Sequence, residues 1–166
     1  MNFFDLVKIF SYLPNELAVF IMAMIPVLEL QVSIPIALGV YKMDILSAYV
    51  WSVSGNLVPA VLLLLFLGPL SNFLMKRFRL FDRLFHWIFF YTRNKFTQKY
   101  LKYGEVALFL FIAIPTPFSG SWSSSVAAFL FNIPFRRAFL LIASGELVAG
   151  FIIIGLTKGT LIFFHI

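Results

Sequence analysis

Only two apolar stretches of this chain are long enough to cross a lipid bilayer, and the remaining apolar sequence comes in short pieces arranged in pairs. Ile45 to Leu70 and Ala138 to Thr157 each reach the roughly 20 residues a spanning helix needs. The pieces around them are shorter and are interrupted by proline. IPVLELQVSIP (25–35) divides the segment Pro14–Tyr41, and IPTPFSGSWSSS (114–125) divides the segment Gly104–Phe135. Arms of two to four helical turns cannot reach across a hydrocarbon core of about 30 Å. A fold must therefore be found in which they enter the membrane and turn back.

The membrane itself follows from composition. Of 166 residues 61% are hydrophobic and 12% charged, against roughly 45–50% apolar residues in a soluble domain. Cysteine is absent and there are two histidines, His86 and His165, so no disulfide framework, thiolate site or zinc cluster is expected, and no cofactor. MNFFDLVK lacks a basic region ahead of its apolar residues and no small-residue cleavage site follows, so no removable signal peptide is expected.

Charge gives the orientation. Eight of the 13 Lys and Arg residues fall between positions 76 and 102, and the positive-inside bias assigns that connector to the cytoplasm of a multi-pass cell-membrane protein. Within it, Leu84–Tyr91 is apolar but too short to cross, which predicts an amphipathic helix at the interface with Trp87 and Tyr91 at headgroup level. The basic residues flank membrane segments and belong to no nucleic-acid-binding motif, so the expected partner is the bilayer, with anionic headgroups as a further candidate.

Arg136 and Arg137 follow the second arm of the second broken segment, so both of its ends carry positive charge on one side of the membrane. A segment that enters and leaves on one side is a re-entrant hairpin. Pro115 and Pro117 stop the incoming helix, Gly120 permits the turn, and Ser119, Ser121 and Ser123 can bond exposed backbone. Two roles are open to this tip: its serines solvate their own turn, or amides and hydroxyls together hold an anionic group. Trp122 is either a wall of such a site or plain packing.

The chain also matches itself. At an offset of 89, ELAVFIMAMIP (16–26) lies on EVALFLFIAIP (105–115) with five identities, and at an offset of 90, SGNLV (54–58) lies on SGELV (144–148) with four. Each unit then reads as a hairpin followed by one crossing helix, and an odd number of crossings per unit inverts the second copy. The expected fold is an all-α integral membrane protein of one domain, 1–166. It comprises two inverted repeats (about 1–75 and 103–166), each a re-entrant helical hairpin followed by a transmembrane helix, and a basic interfacial connector (about 76–102). The tips would meet near the midplane, where secondary transporters hold their substrates. The wall around such a cavity is small, which makes a homodimer plausible.

Few polar groups reach that depth. Glu29 lies in the first tip, where Pro26 and Pro35 are expected to break the helix, and a carboxylate there costs several kcal/mol, which makes it the first candidate proton carrier. Gln31 and Ser33 offer uncharged contacts beside it. Glu146 lies in the second crossing helix at the repeat position of Asn56. Glu16 and Glu105 suit the starts of the incoming arms, where a helix dipole favours an acid. Arg136 and Arg137 are placed to neutralise an anion at the cytoplasmic mouth, or to anchor the boundary.

These residues carry a family resemblance. PVLELQVSIP resembles the first motif of the small multidrug export family, P-x-x-E-x-R-x-x-I-P, through Pro26, Glu29, Ile34 and Pro35. IPTPFSGSWSS is similar to its second, P-x-P-G-T-G-x-W-T-G, through Pro115, Pro117, Ser119, Gly120, Trp122 and Ser123. Gln31 replaces an arginine of that pattern, and Phe118 and Ser124 replace glycines. The layout is more distantly similar to the DedA or VTT superfamily, which implies ion-coupled movement of a lipid such as a polyprenyl phosphate. The expectation is a transporter of an amphipathic anion, with Glu29 carrying a proton, the second tip binding the head group and the arginines assisting. The alternatives are a proton-coupled exporter of small lipophilic cations, and, in another class, a lipid-modifying enzyme or a non-transporting scaffold. No serine in the tip has a base near it in sequence, so catalysis is not expected.

Overall fold

The computed structural model describes residues 10, 12–77, 98–116 and 119–163. Pro117, the Leu84–Tyr91 segment with His86, His165 and most of the basic connector lie outside the described residues. Among the described residues the structure is helical and contains no strand. The helices are α1 (Asn15–Met24), α2 (Glu29–Gly39), α3 (Ile45–Arg77), α4 (Gln98–Ala113), α5 (Ser121–Leu130) and α6 (Phe135–Phe163). The order is short, short, long, and then the same again.

The two long helices are those the apolar stretches foretold, and both outrun them. At about 1.5 Å per residue, the 33 residues of α3 and the 29 of α6 extend roughly 50 and 44 Å. Both are long and apolar enough to cross a membrane. Pro59 and Pro69 sit inside α3 without ending it. Leu62, Leu65, Phe66, Leu140, Phe151 and Leu156 are exposed along the two helices, as befits helices whose solvent is lipid.

The connections are made by local hydrogen bonding. After α5, Asn132 takes a positive φ of 54°, which asparagine tolerates better than most residues. The Ile133 N–H donates to the Ala128 carbonyl at 2.9 Å and the Asn132 N–H to the Phe129 carbonyl at 3.0 Å, a Schellman ending. Ile133 and Ala128 then join the same apolar cluster, and α6 begins at once.

The first arm of each half lies against the long helix of that half, α1 on α3 and α4 on α6. Glycine makes both approaches close. A Cβ on Gly55 would overlap the carbonyl of Phe20, and one on Gly145 would stand 2.8 Å from the Ile112 side chain and 3.3 Å from the Phe109 carbonyl oxygen. Gly55 and Gly145 are the glycines matched at an offset of 90, and Phe20 and Phe109 the phenylalanines matched at 89. The second arms reach across: α2 packs on α6 as well as α3, and α5 on α3 as well as α6. The long helices touch each other where Gly150 meets the ring of Tyr49, whose hydroxyl donates to the Leu147 carbonyl at 2.9 Å.

Among the described residues a small apolar cluster of Ala18, Met22, Leu28 and Ile36 joins α1 to α2, and two larger ones flank the junction of the halves. One gathers Val19, Leu30, Ile34, Val53, Ala149 and Ile153 around α2, and the other gathers Ala60, Leu108, Ile112, Ala128 and Ile142 beside α5. Leu57 packs against both. The polar residues singled out in the sequence lie close to this junction.

Candidate functional site

The site forms where the two helix breaks face each other. After α1, Ile25 is extended and Pro26 follows in a turn of only four residues, 25–28, closed by the Leu28 and Glu29 N–H groups donating to the Ile25 carbonyl at 3.0 and 3.1 Å. The helix resumes at Glu29, which carries a φ of 40°. Left-handed backbone costs an ordinary L-residue about 1–2 kcal/mol, and at a residue with a buried carboxyl it marks a position held by its surroundings. Pro35 does not break the hairpin as the sequence suggested; it lies inside α2. Its ring fixes a helical φ, and the intrahelical bond it cannot donate is the one to the Gln31 carbonyl.

The second break is shorter than its serine content implied. α4 ends at Ala113 and α5 begins at Ser121, so Ser121–Ser125 are the first turns of a helix rather than irregular backbone. Within the break, Ser119 Oγ accepts from the Thr116 N–H at 3.0 Å and lies 2.8 Å from the Thr116 carbonyl oxygen. The Ser123, Ser124 and Ser125 hydroxyls donate to the carbonyls of Gly120, Ser119 and Ser121 at 3.2, 3.3 and 2.7 Å. These serines thus solvate their own turn and helix start, one of the two roles the sequence left open.

Gly120 is the N-cap of α5 and has no side chain with which to cap it. That task falls to Glu29 from the other half: the Trp122 N–H, at the second position of α5, donates to the Glu29 carboxyl group. The carboxyl group fills the space a side chain at 120 would need, since a Cβ there would overlap it. Two further bonds tie the breaks together. The Trp122 indole N–H donates to the Met24 carbonyl at 3.0 Å, and Gln31 Nε2 donates to the Thr116 carbonyl at 2.5 Å. Carbonyls freed at each helix break are thereby satisfied by a side chain of the opposite half.

Beside Glu29 lies a small cavity of about 10 Å³, the room of one water molecule. Its polar lining comes from Glu29, Gln31, Asn56, Ser119 and Glu146, its apolar lining from residues such as Ile112, Pro115 and Ile153. Glu146 is 1% exposed, and among the described residues neither of its carboxyl oxygens has a hydrogen-bond partner. Glu29 is 5% exposed. Asn56 Oδ1 accepts from the Ser121 hydroxyl at 3.2 Å. Among the described residues no Lys or Arg contributes to the lining.

The structure therefore brings together Glu29, Gln31, Ser119, Gly120, Ser121, Trp122 and Glu146, the last from the middle of α6. It leaves out the others. Ser33 is buried, without a hydrogen-bond partner among the described residues, and is not among the residues that line the cavity. Arg136 and Arg137 are exposed in the first turn of α6, and Glu146, ten residues further on, is about 15 Å away along the axis. Arg137 instead pairs at 3.5 Å with Glu105. Glu105 is not at a helix start as expected, because α4 begins at Gln98, seven residues earlier; Glu16 does lie in the first turn of α1. Asn56 was missed as a site residue, although the offset that aligns it with Glu146 was the signal that could have found it.

A family model described as "Putative small multi-drug export protein" matches residues 29–152, a span that begins on Glu29 and contains every cavity-lining residue but Ile153. No curated protein and no solved structure matches the chain.

Proposed function

Since the chain belongs to the small multi-drug export protein family, we propose that it is a membrane exporter which exchanges small lipophilic cations for protons at Glu29 and Glu146. One observation carries this reading: two acids from opposite halves share a buried cavity to whose lining, among the described residues, no basic side chain contributes. Two ionised carboxylates in so dry a space repel each other and lack solvation, so their charge has to be met by a proton or by a cation. A site that takes either, but not both, is the elementary device of exchange. Around it we retain the inverted pair of re-entrant hairpins with a cytoplasmic basic end, an arrangement favoured by the matched glycine crossings at Gly55 and Gly145 and by the exchange of second arms.

The expectation of a lipid phosphate finds less support. The helix N-terminus that would receive an anion is capped by Glu29, and the arginines meant to assist stand at the exposed start of α6. Among the described residues a hydrolytic role lacks a nucleophile with an adjacent base, since the Ser121 hydroxyl donates to an amide oxygen and the Ser123 to Ser125 hydroxyls donate to backbone.

The test is transport by the purified protein in proteoliposomes. An imposed proton gradient should drive uptake of ethidium, and Glu146→Gln or Glu29→Gln should abolish the driven component while leaving the protein folded. Equal gradient-driven uptake by both variants sinks the proposal, and uptake of polyprenyl phosphate in place of ethidium would restore the anionic substrate.

A further inference from the structure

The cavity that holds the acids is too small for any organic cation, and this points to a second compartment. Alongside it lies a larger one of about 270 Å³, close to the lower end of the range for small-molecule sites. The two share Gln31, Pro115 and Ile153, and the larger one is completed by Pro35, Leu156, Thr157 and Thr160. Resting on the exporter reading above, we infer that this outer cavity holds the body of the substrate, that the inner one admits only the proton or the substrate's charged head, and that Gln31 is the partition between them.

The chemistry of the outer lining fits a small organic ammonium with an apolar body. Its walls are proline, isoleucine and leucine, and among the described residues none that lines it is charged. Its polar groups are chiefly acceptors: two threonine hydroxyls, of which Thr160 already donates to the Thr157 carbonyl at 2.8 Å, and the stretch of α2 where Pro35 leaves the Gln31 carbonyl without its helical donor. The one amide donor, Gln31 Nε2, is committed to the Thr116 carbonyl at 2.5 Å. An anion would find little here to bind.

Position gives the outer cavity a direction. Thr157 lies eleven residues beyond Glu146 on α6, about 16 Å further from Arg136 and Arg137 along the axis. With the arginine end cytoplasmic, the outer cavity adjoins the acids from the external side, the side on which an exporter releases. The bond between Gln31 of the first half and Thr116 of the second is then what closes the acids off from the exit. It must open for a cation to leave and for a proton to replace it.

Two measurements on the full-length protein in detergent test this: tetraethylammonium binding by thermal shift, and the rate at which dicyclohexylcarbodiimide modifies Glu29 and Glu146, read by mass spectrometry. Leu156→Trp and Thr160→Trp, both at exposed positions, should weaken tetraethylammonium binding at least tenfold without changing carbodiimide modification in its absence. Gln31→Ala should accelerate that modification several-fold, and in wild type tetraethylammonium should slow it. Wild-type affinity in both tryptophan variants overturns the outer site and leaves the exporter reading standing. Unchanged modification in Gln31→Ala overturns the partition. Absence of tetraethylammonium binding to wild type, with ethidium transport intact, overturns the outer site as a small-ammonium site; absence of both removes the exporter reading and this inference with it.

Discussion

Gly120→Ala offers the most direct probe of the contact between the two halves. The backbone at 120 is extended, with φ −80° and ψ −165°, which alanine adopts freely, so no backbone strain is introduced. The three atoms nearest the new methyl all belong to the Glu29 carboxyl group, which it overlaps. Glu29 must swing away, and the Trp122 N–H at the start of α5 loses its acceptor. Leaving the Trp122 N–H without its acceptor costs about 1–3 kcal/mol, and replacing glycine by alanine returns about 0.4–1 kcal/mol through the unfolded chain. The net loss is up to roughly 2.5 kcal/mol, which for a chain of this size lowers Tm by up to roughly 10 °C. The assay is thermal unfolding in detergent, run as a double-mutant cycle with Glu29→Ala. With the carboxyl group gone, the atoms the methyl at 120 overlaps most closely are removed, and Gly120→Ala should become neutral or slightly stabilising. An equal penalty in both backgrounds would refute the reasoning, because the cost would then have nothing to do with Glu29.

Other consequences can be measured on the same preparation. Gly55→Ala should destabilise by about 1–3 kcal/mol, the ordinary cost of overpacking, since the Phe20 carbonyl it overlaps is backbone. Gly68→Ala on the same helix, where no described residue lies within 4 Å, should gain up to about 1 kcal/mol of helix propensity, and similar midpoints for the two would contradict the close approach. Trp122→Phe keeps the ring but loses the bond to the Met24 carbonyl, and should cost about 0.5–1.5 kcal/mol in chemical denaturation. Arg137→Ala, which removes a partly exposed pair with Glu105, should change stability by under about 1 kcal/mol and leave tetraethylammonium binding as it was.

The parts of the molecule legible in the sequence are those that depend on composition over many residues. α3 and α6 announce themselves by length of apolar run, and Pro26 and Pro115 mark the breaks because a missing N–H acts locally. Helix ends were less legible: α3 runs on to Arg77 because hydropathy reports where the lipid stops, whereas a helix stops where its hydrogen bonds do. Pro35 looked like a breaker and is not one, since a proline a turn and a half into a short helix removes a single bond and α2 is held by packing on both sides. Glu29 and Glu146 could be named from depth alone. Their environment could not, because it depends on contacts across 65 or more positions: Glu29 capping α5, Gln31 on Thr116, and Asn56 receiving Ser121.

The crossing of second arms between halves bears on how such a chain came to be asymmetric. A half ending near Arg77 would leave α2 without the surface that α6 provides, and the natural source of that surface would be another copy of the same half in the opposite orientation. Two identical polypeptides paired in this way must put the same residue at both positions of the axis, asparagine twice or glutamate twice. On the proposed inverted-repeat arrangement one continuous chain would be free of that rule, and here Asn56 and Glu146 hold the matched positions. Fusion would then permit an acid in α6, unpartnered among the described residues, to share a cavity with an amide that is already engaged by Ser121, a division of labour that no assembly of equal halves can reach.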